Sequence, residues 1–347
     1  MIITKNSTTP EALRETMLTT QSMFRVAAIQ MASGPNVQAN LQEASRLIEL
    51  AAATGARIVG LPEYFCLMGM QDTDKVKARE RDGEGPIQDF LAAEARRHKV
   101  WIVGGSVPLE ASVPEKVRNA CLVFDGDGKR VARYDKIHLF GFDMGQEKYS
   151  EERTIEPGAA VVTVESPWGR LGISVCYDLR FPELYRAMGE VDFIFVPSAF
   201  TETTGKAHWE VLIRARAIEN QCFVVAPAQG GYHVNGRETH GHTMIVDPWG
   251  VVLDRLPRGS GVVVAGVNPT YQAKIRRSLP ALRHRTLGQR SNPLPSTWPR
   301  PASSPPTAST RGCSRESSPP SARTAPTTRT CTSSSRAPRA GCSRRAR

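Results

Sequence analysis

Short apolar runs alternate along this chain with stretches whose apolar positions recur every three or four residues. Residues 24–32, FRVAAIQMA, are the first apolar run and read as a buried strand. In NVQANLQEASRLIELAAATGA, the residues Leu41, Ala44, Leu47, Ile48 and Ala51 share one helix face, and Gly55 supplies a stop. RIVGLPEYF predicts a second buried strand with a polar tip. Residues 86–98 predict a helix opening on Pro86, where a first-turn proline is favoured. VWIVGGSVPL predicts a strand, and NACLVFDGDGKRVARYDKIH a hairpin turning over Asp-Gly-Asp-Gly. After an irregular stretch at 140–158 come the strands VVTVES and GRLGISVCYD, then a helix over 183–189. The strand DFIFVPSAF, the helix AHWEVLIRARAIEN and the strands CFVVAPAQ, HTMIVDPWG and GVVVAGV follow, and a last helix covers 269–282. Several strands are apolar on both faces, so each face must be covered and the elements must be layered. No repeat or linker interrupts 23–287, which reads as one large α/β domain.

Composition changes abruptly at residue 288. The segment 288–347 is rich in Ser, Pro, Thr, Arg and Ala, with Leu294 and Trp298 its only large apolar residues. Too little surface can be buried there to offset the entropy of ordering, so a disordered tail is expected. The net charge of +11 is concentrated in it: Ser291–Arg347 carries 10 Arg and one acid, Glu316. The remainder holds 35 basic and 33 acidic residues. The body is therefore nearly neutral, and no nucleic-acid partner is expected for it. The tail itself has two readings, a basic nucleic-acid-binding segment or the product of a reading-frame shift in a GC-rich gene, and the second is preferred. Residues 1–22 lack the apolar core of a secretory signal and read as a flexible leader. No apolar run approaches the ~18 residues of a membrane span. Seven cysteines, an odd number without a CxxC pair, point away from a disulfide framework and towards a reducing, cytoplasmic setting.

Three residues stand where chemistry could be done. Cys176 ends RLGISVC; along a strand Gly172, Ser174 and Cys176 face one way, and such small neighbours would leave room for a substrate. A cysteine in an apolar strand is also a common inert core residue, the reading given to Cys66, Cys121 and Cys222. Glu63 stands at the tip of IVGLPEYF, where burial would raise its pKa and make it a proton acceptor near neutrality. Lys136, in RYDKIHLF, could lower a thiol pKa or stabilise an oxyanion. Each taken singly also fits a plain structural role.

Taken together, GLPEYF, YDKIHLF and SVCYDLRFPELYR resemble the three motifs of the nitrilase superfamily of carbon–nitrogen hydrolases, in the same order. The resemblance spans about 24–287 and implies a four-layer αββα sandwich, a Glu63–Lys136–Cys176 triad and pairing into homodimers or larger homo-oligomers. CYDLRFPELY, with TGKAHWEVLIRARAIENQCFVVAPAQGG and GHTMIVDPWG, is similar to the omega-amidase and deaminated-glutathione-amidase branch. It further implies a second glutamate before the Pro-Gly of YSEERTIEPG; Glu151 is chosen over its neighbour Glu152. The implied activity is hydrolysis of a small carboxylic-acid amide through a thioester on Cys176. Glu63 would shuttle protons, while Lys136 and the Tyr177 backbone N–H would hold the oxyanion. Neither metal nor organic cofactor is called for. Deaminated glutathione is the first substrate expected, α-ketoglutaramate the second, and a scaffold with a vestigial triad is the non-enzymatic alternative. Asp178 and Arg180 are expected to order the cysteine loop, and His240 and His242 are too few for a metal site.

Overall fold

Alternation along the first strands decides which layer each side chain enters. In the strand Phe24–Gln30, Val26 and Ala28 point towards a second sheet, while Ala27 and Ile29 point outward onto helices. Ile58, Trp101, Val103, Cys121 and Val123 repeat the inward set; Val59, Ile102 and Leu122 repeat the outward one. The computed structural model describes residues 23–143 and 148–287. The expected leader and tail lie outside the described residues.

The first sheet has seven strands. Phe24–Gln30, Ala56–Gly60 and Trp101–Val103 run parallel. Gly261–Val267 pairs antiparallel with Phe24–Gln30, bringing the two ends of the domain together. The helices Val37–Ala53 and Pro86–His98 cover its outer face through Leu41, Ala44, Leu47, Ile48 and Leu91. Each such buried leucine or isoleucine contributes about 1.5–3 kcal/mol. The second sheet has six strands, with Gly169–Ile173, Phe193–Phe195 and Phe223–Ala226 parallel at its centre. Its outer face is covered by Pro182–Ala187 and by Glu202–Asn220, through Tyr185, Trp209, Ile213 and Ala217. The layers are helix, sheet, sheet, helix, as the motifs implied.

Local signals account for most element ends. Asn36 caps Val37–Ala53, its side chain accepting the Ala39 N–H at 2.9 Å, and Pro86 opens the second helix as expected. The helix placed at AHWEVLIRARAIEN begins earlier, at Glu202, because Thr201 caps it. The stretch 140–158 is not wholly irregular: Gly141–Asp143 and Lys148–Ser150 pair antiparallel.

Candidate active site

Glu63, Lys136 and Cys176 each follow the carboxyl end of a strand, the side of an open sheet where ligands are usually met. Glu63 leaves Ala56–Gly60 through a turn in which the Phe65 N–H donates to the Pro62 carbonyl at 3.2 Å. Gly105, at φ +57°, passes so close beneath that any Cβ would collide with the Pro62 carbonyl. Gln229 fixes the Glu63 backbone by donating to its carbonyl at 3.0 Å. Lys136 follows Arg130–Asp135, and its own N–H donates to the Asn119 carbonyl at 3.1 Å. That strand is partly buried, with Tyr134 its one fully buried residue.

The charged groups meet in a closed network. The Lys136 Nζ donates to Glu63 Oε1 at 2.9 Å and to Glu151 Oε2 at 2.8 Å, with all three side chains at most 4% exposed. Asn119 Nδ2 adds a bond to Glu63 Oε1 at 3.0 Å. Glu151 also accepts from the Tyr64 hydroxyl at 2.9 Å and from the Phe140 N–H at 2.7 Å, while Glu152 faces solvent. Burial on its own would discharge Lys136; the Glu151 and Glu63 carboxylates outweigh it and hold its pKa well above the ordinary lysine value. Burial also works against the Glu151 charge, but Lys136 and the donated N–H and O–H groups keep its pKa low. Glu63 behaves differently. Its burial outweighs the attraction of Lys136, and the neighbouring Glu151 charge pushes the same way, so its pKa is raised.

Cys176 stands at φ +50°, an uncommon conformation for a residue with a side chain, and opens the short 3-10 helix Cys176–Arg180. The strand ends at Ile173, so the alternation expected through Cys176 does not reach it. The small residues before it also have a different use. A Cβ on Gly172 would lie 2.6 Å from the Met188 sulfur, and Ser174 accepts from the Tyr185 hydroxyl at 3.0 Å. That face admits the helix Pro182–Ala187, not a substrate. The thiol is pushed up in pKa, first by burial and then by the Glu63 charge, against the pull of Lys136. Lysine therefore does not leave a resting thiolate, and the thiol needs a base. The loop after it is held by Asp178, which accepts from the Val175 N–H at 2.8 Å, the Tyr134 hydroxyl at 2.7 Å and the His138 N–H at 3.0 Å. Tyr177 lies in the first turn, with its ring packed on Phe140 and Phe181. Arg180 lies over the Tyr177 and Phe200 rings.

Asn119 and Tyr64 were not anticipated. The signal for the first was a lone amide within the apolar run VRNACLVF; for the second, a phenol beside the acid. Cys66, Cys121 and Cys222 are buried free thiols. His240 and His242 stack on each other with ring centroids 4.2 Å apart, and His240 Nδ1 lies 3.1 Å from Glu202 Oε2. Among the described residues no cluster of three or more His, Cys, Asp or Glu side chains is placed to hold a metal. No described helix is long and apolar enough to cross a membrane.

A cavity of about 430 Å³ is walled by Tyr64, Met68, Phe140, Tyr149, Lys75 and Arg237 among others. Two of these walls, Tyr64 and Phe140, are the residues that bond Glu151.

The pattern that describes carbon-nitrogen hydrolases matches residues 25–277. The chain belongs to the carbon-nitrogen hydrolase family. Similar proteins include the deaminated glutathione amidase of Synechocystis sp. (strain PCC 6803 / GT-S), 43% identical over 270 residues, covering 76% of this chain and 98% of the relative. The Homo sapiens protein of the same name is 37% identical over 267 residues, covering 75% of this chain and 81% of the relative. The crystal structure of the Caenorhabditis elegans NitFhit protein matches with a TM-score of 0.69 at 36% identity, over 76% of this chain. The match covers 65% of that longer chain, less than two thirds of it. A Saccharomyces cerevisiae member of branch 10 of the nitrilase superfamily matches with a TM-score of 0.68 at 29% identity, over 75% of this chain and 95% of that one. This hydrolase thus has the fold and the family that its motifs implied.

Proposed function

We propose that this hydrolase cleaves the amide bond of deaminated glutathione, with Cys176 as nucleophile. The observation that carries the reading is the buried Glu63–Lys136–Glu151 network closed around a thiol that is neutral at rest; the substrate is suggested by the names of the relatives. Glu63, its pKa raised, takes the thiol proton as Sγ bonds to the amide carbon. The oxyanion forms against the Lys136 ammonium and the Tyr177 backbone N–H, each such donor being worth roughly 3 kcal/mol. Glu151 holds Lys136 in place and remains ionised. The C–N bond then breaks and Glu63 returns its proton to the departing nitrogen. From deaminated glutathione the leaving amine is cysteinylglycine; from an unsubstituted amide it is ammonia. Glu63 next deprotonates a water, which attacks the thioester carbon; the C–S bond breaks, the acid leaves and the thiol regains a proton.

The body would act as a homodimer, in the cytoplasm. Val211 and Ile218, 68% and 50% exposed on the helix Glu202–Asn220, support pairing with a second copy, and the free thiols support a reducing compartment.

The test is release of cysteinylglycine from deaminated glutathione, with α-ketoglutaramate and a simple nitrile alongside. Cys176→Ala should lose about 10⁴-fold or more in turnover. Undiminished turnover in that variant would remove Cys176 from the mechanism, and turnover of the nitrile alone would remove the amidase reading.

A further inference from the structure

The reacting groups cannot attract an anion. Glu63 and Glu151 flank the single Lys136 ammonium, so two carboxyl groups share one positive charge. A carboxylate brought near them must be held by cations from elsewhere. Two such cations line the cavity, Lys75 and Arg237.

Their bonding is incomplete. Among the described residues no carboxylate lies within ion-pair distance of Arg237. The side-chain contact of its guanidinium there is with the Met68 sulfur at 4.0 Å, a weak acceptor, and it lies 5.4 Å from the centre of the Tyr149 ring. The adjacent acid, Glu238, is engaged by Arg258 at 3.0 Å. Lys75 donates to the Thr154 hydroxyl at 3.2 Å and lies 4.0 Å from Asp72 and 5.7 Å from the centre of the Tyr64 ring. Its ammonium is largely buried, which lowers its pKa against the pull of the Asp72 and Glu151 charges, and Arg237 and Lys136 add a smaller push the same way as burial. A second anion would relieve that strain. Tyr64 ties this cationic end to the reacting one, since it follows Glu63 in the chain and bonds Glu151.

We propose that Arg237, assisted by Lys75, binds a carboxylate of the substrate and makes this hydrolase selective for acidic amides. A planar guanidinium with five donors can take a carboxylate in a two-point fork, and Lys75 supplies a point charge beside it. The substrate class is then an ω-amide whose far end is ionised. This assignment rests on the amidase reading for its substrate, but not for its binding test.

Calorimetric titration of the Cys176→Ala protein with 2-oxoglutarate measures binding without turnover. Adding Arg237→Ala should weaken binding roughly 10- to 100-fold, and Arg237→Lys should recover part of the loss. No binding, or equal affinity with and without Arg237→Ala in proteins of equal thermal stability, overturns the assignment. Turnover then locates the carboxylate. α-Ketoglutaramate is compared with 4-oxopentanamide, which has a methyl group in place of the carboxylate. Deaminated glutathione is compared with its glycinamide analogue. In Arg237→Ala the preference for the acid should collapse by the same factor in the first pair if the 2-oxo acid end is bound, or in the second if the glycine end is. Equal falls on both members of both pairs overturn the proposal. Binding that depends on Arg237, with no turnover of any amide, would count against the amidase reading alone.

Discussion

The floor of this site and its rim handle charge in opposite ways. On the floor, Lys136 is bonded to two carboxylates and those carboxylates to further donors, so every charged group there has hydrogen-bond partners. At the rim, Arg237 and Lys75 face a cavity with few acceptors for their donors among the described residues. Buried charge without partners is very costly, whereas at a mouth reached by water it can await a ligand. The floor is therefore the place where pKa values are set, and the rim the place where substrates are sorted. Changes on the floor should alter rate and stability together; changes at the rim should alter preference.

The largest expected effect comes from removing the central cation. In Lys136→Met two buried carboxylates would face each other without a counter-charge. Breaking a buried pair costs about 3–5 kcal/mol, to be read from urea unfolding, and turnover should vanish. One carboxylate should then hold a proton at neutral pH, its folded pKa raised above the unfolded value. Stability from such a group is present below the unfolded pKa and lost as pH rises through the folded one. The deficit should thus be smaller at pH 5 than at pH 7. Adding Glu151→Gln should restore part of the stability and none of the activity. A single variant as stable as the wild type at both pH values would show that the floor is not balanced in this way.

Much of this floor could be read in the chain, and the reasons it could are local. Glu63, Lys136 and Cys176 stand just past predicted strands, and the resemblance of GLPEYF, YDKIHLF and SVCYDLRFPELYR to the family's motifs singles them out and points to Glu151 before the Pro-Gly. Pro86 and Gly55 punctuate helices whose bounds followed closely. Other features depend on packing at long range. The neutral Cys176 thiol follows from its burial and from Glu63, more than a hundred residues away in sequence. The room beside Gly172 is taken by Met188, which strand alternation cannot reveal. Arg237 and Lys75 lie in segments without periodicity, and only the fold brings them to one cavity. Most of the floor is carried by strand tips and so leaves a pattern, while the rim places Lys75 on the one-turn helix Asp74–Lys77 and Arg237 on a turn, too short to leave one.

A smaller effect should separate the two carboxylates of the floor. The Glu63 pKa is raised first by burial and, beyond the opposing pull of Lys136, by the Glu151 charge. Glu151→Gln removes that charge, so Glu63 should ionise at lower pH. The acidic limb of the kcat/KM profile, which reports the free enzyme's base, should move to lower pH. Rate at the plateau should fall roughly 10- to 100-fold, because Lys136 loses the partner that places it. A limb that moves to higher pH would mean that a group other than Glu63 is the base.

The smallest effect tests the rim without touching either cation. Asn235 donates to the Gly69 carbonyl at 2.7 Å and accepts the Arg237 N–H at 3.0 Å, pinning the turn that presents Arg237 across the cavity to the loop after Glu63. It is a positioning residue. Asn235→Ala should raise KM for acidic amides roughly three- to tenfold, the equivalent of about one net hydrogen bond, with a much smaller change in kcat. Neutral amides should show a smaller rise in KM. A fall in kcat with KM held would join this turn to the floor, and the division between where charge is settled and where it is offered would then have to be redrawn.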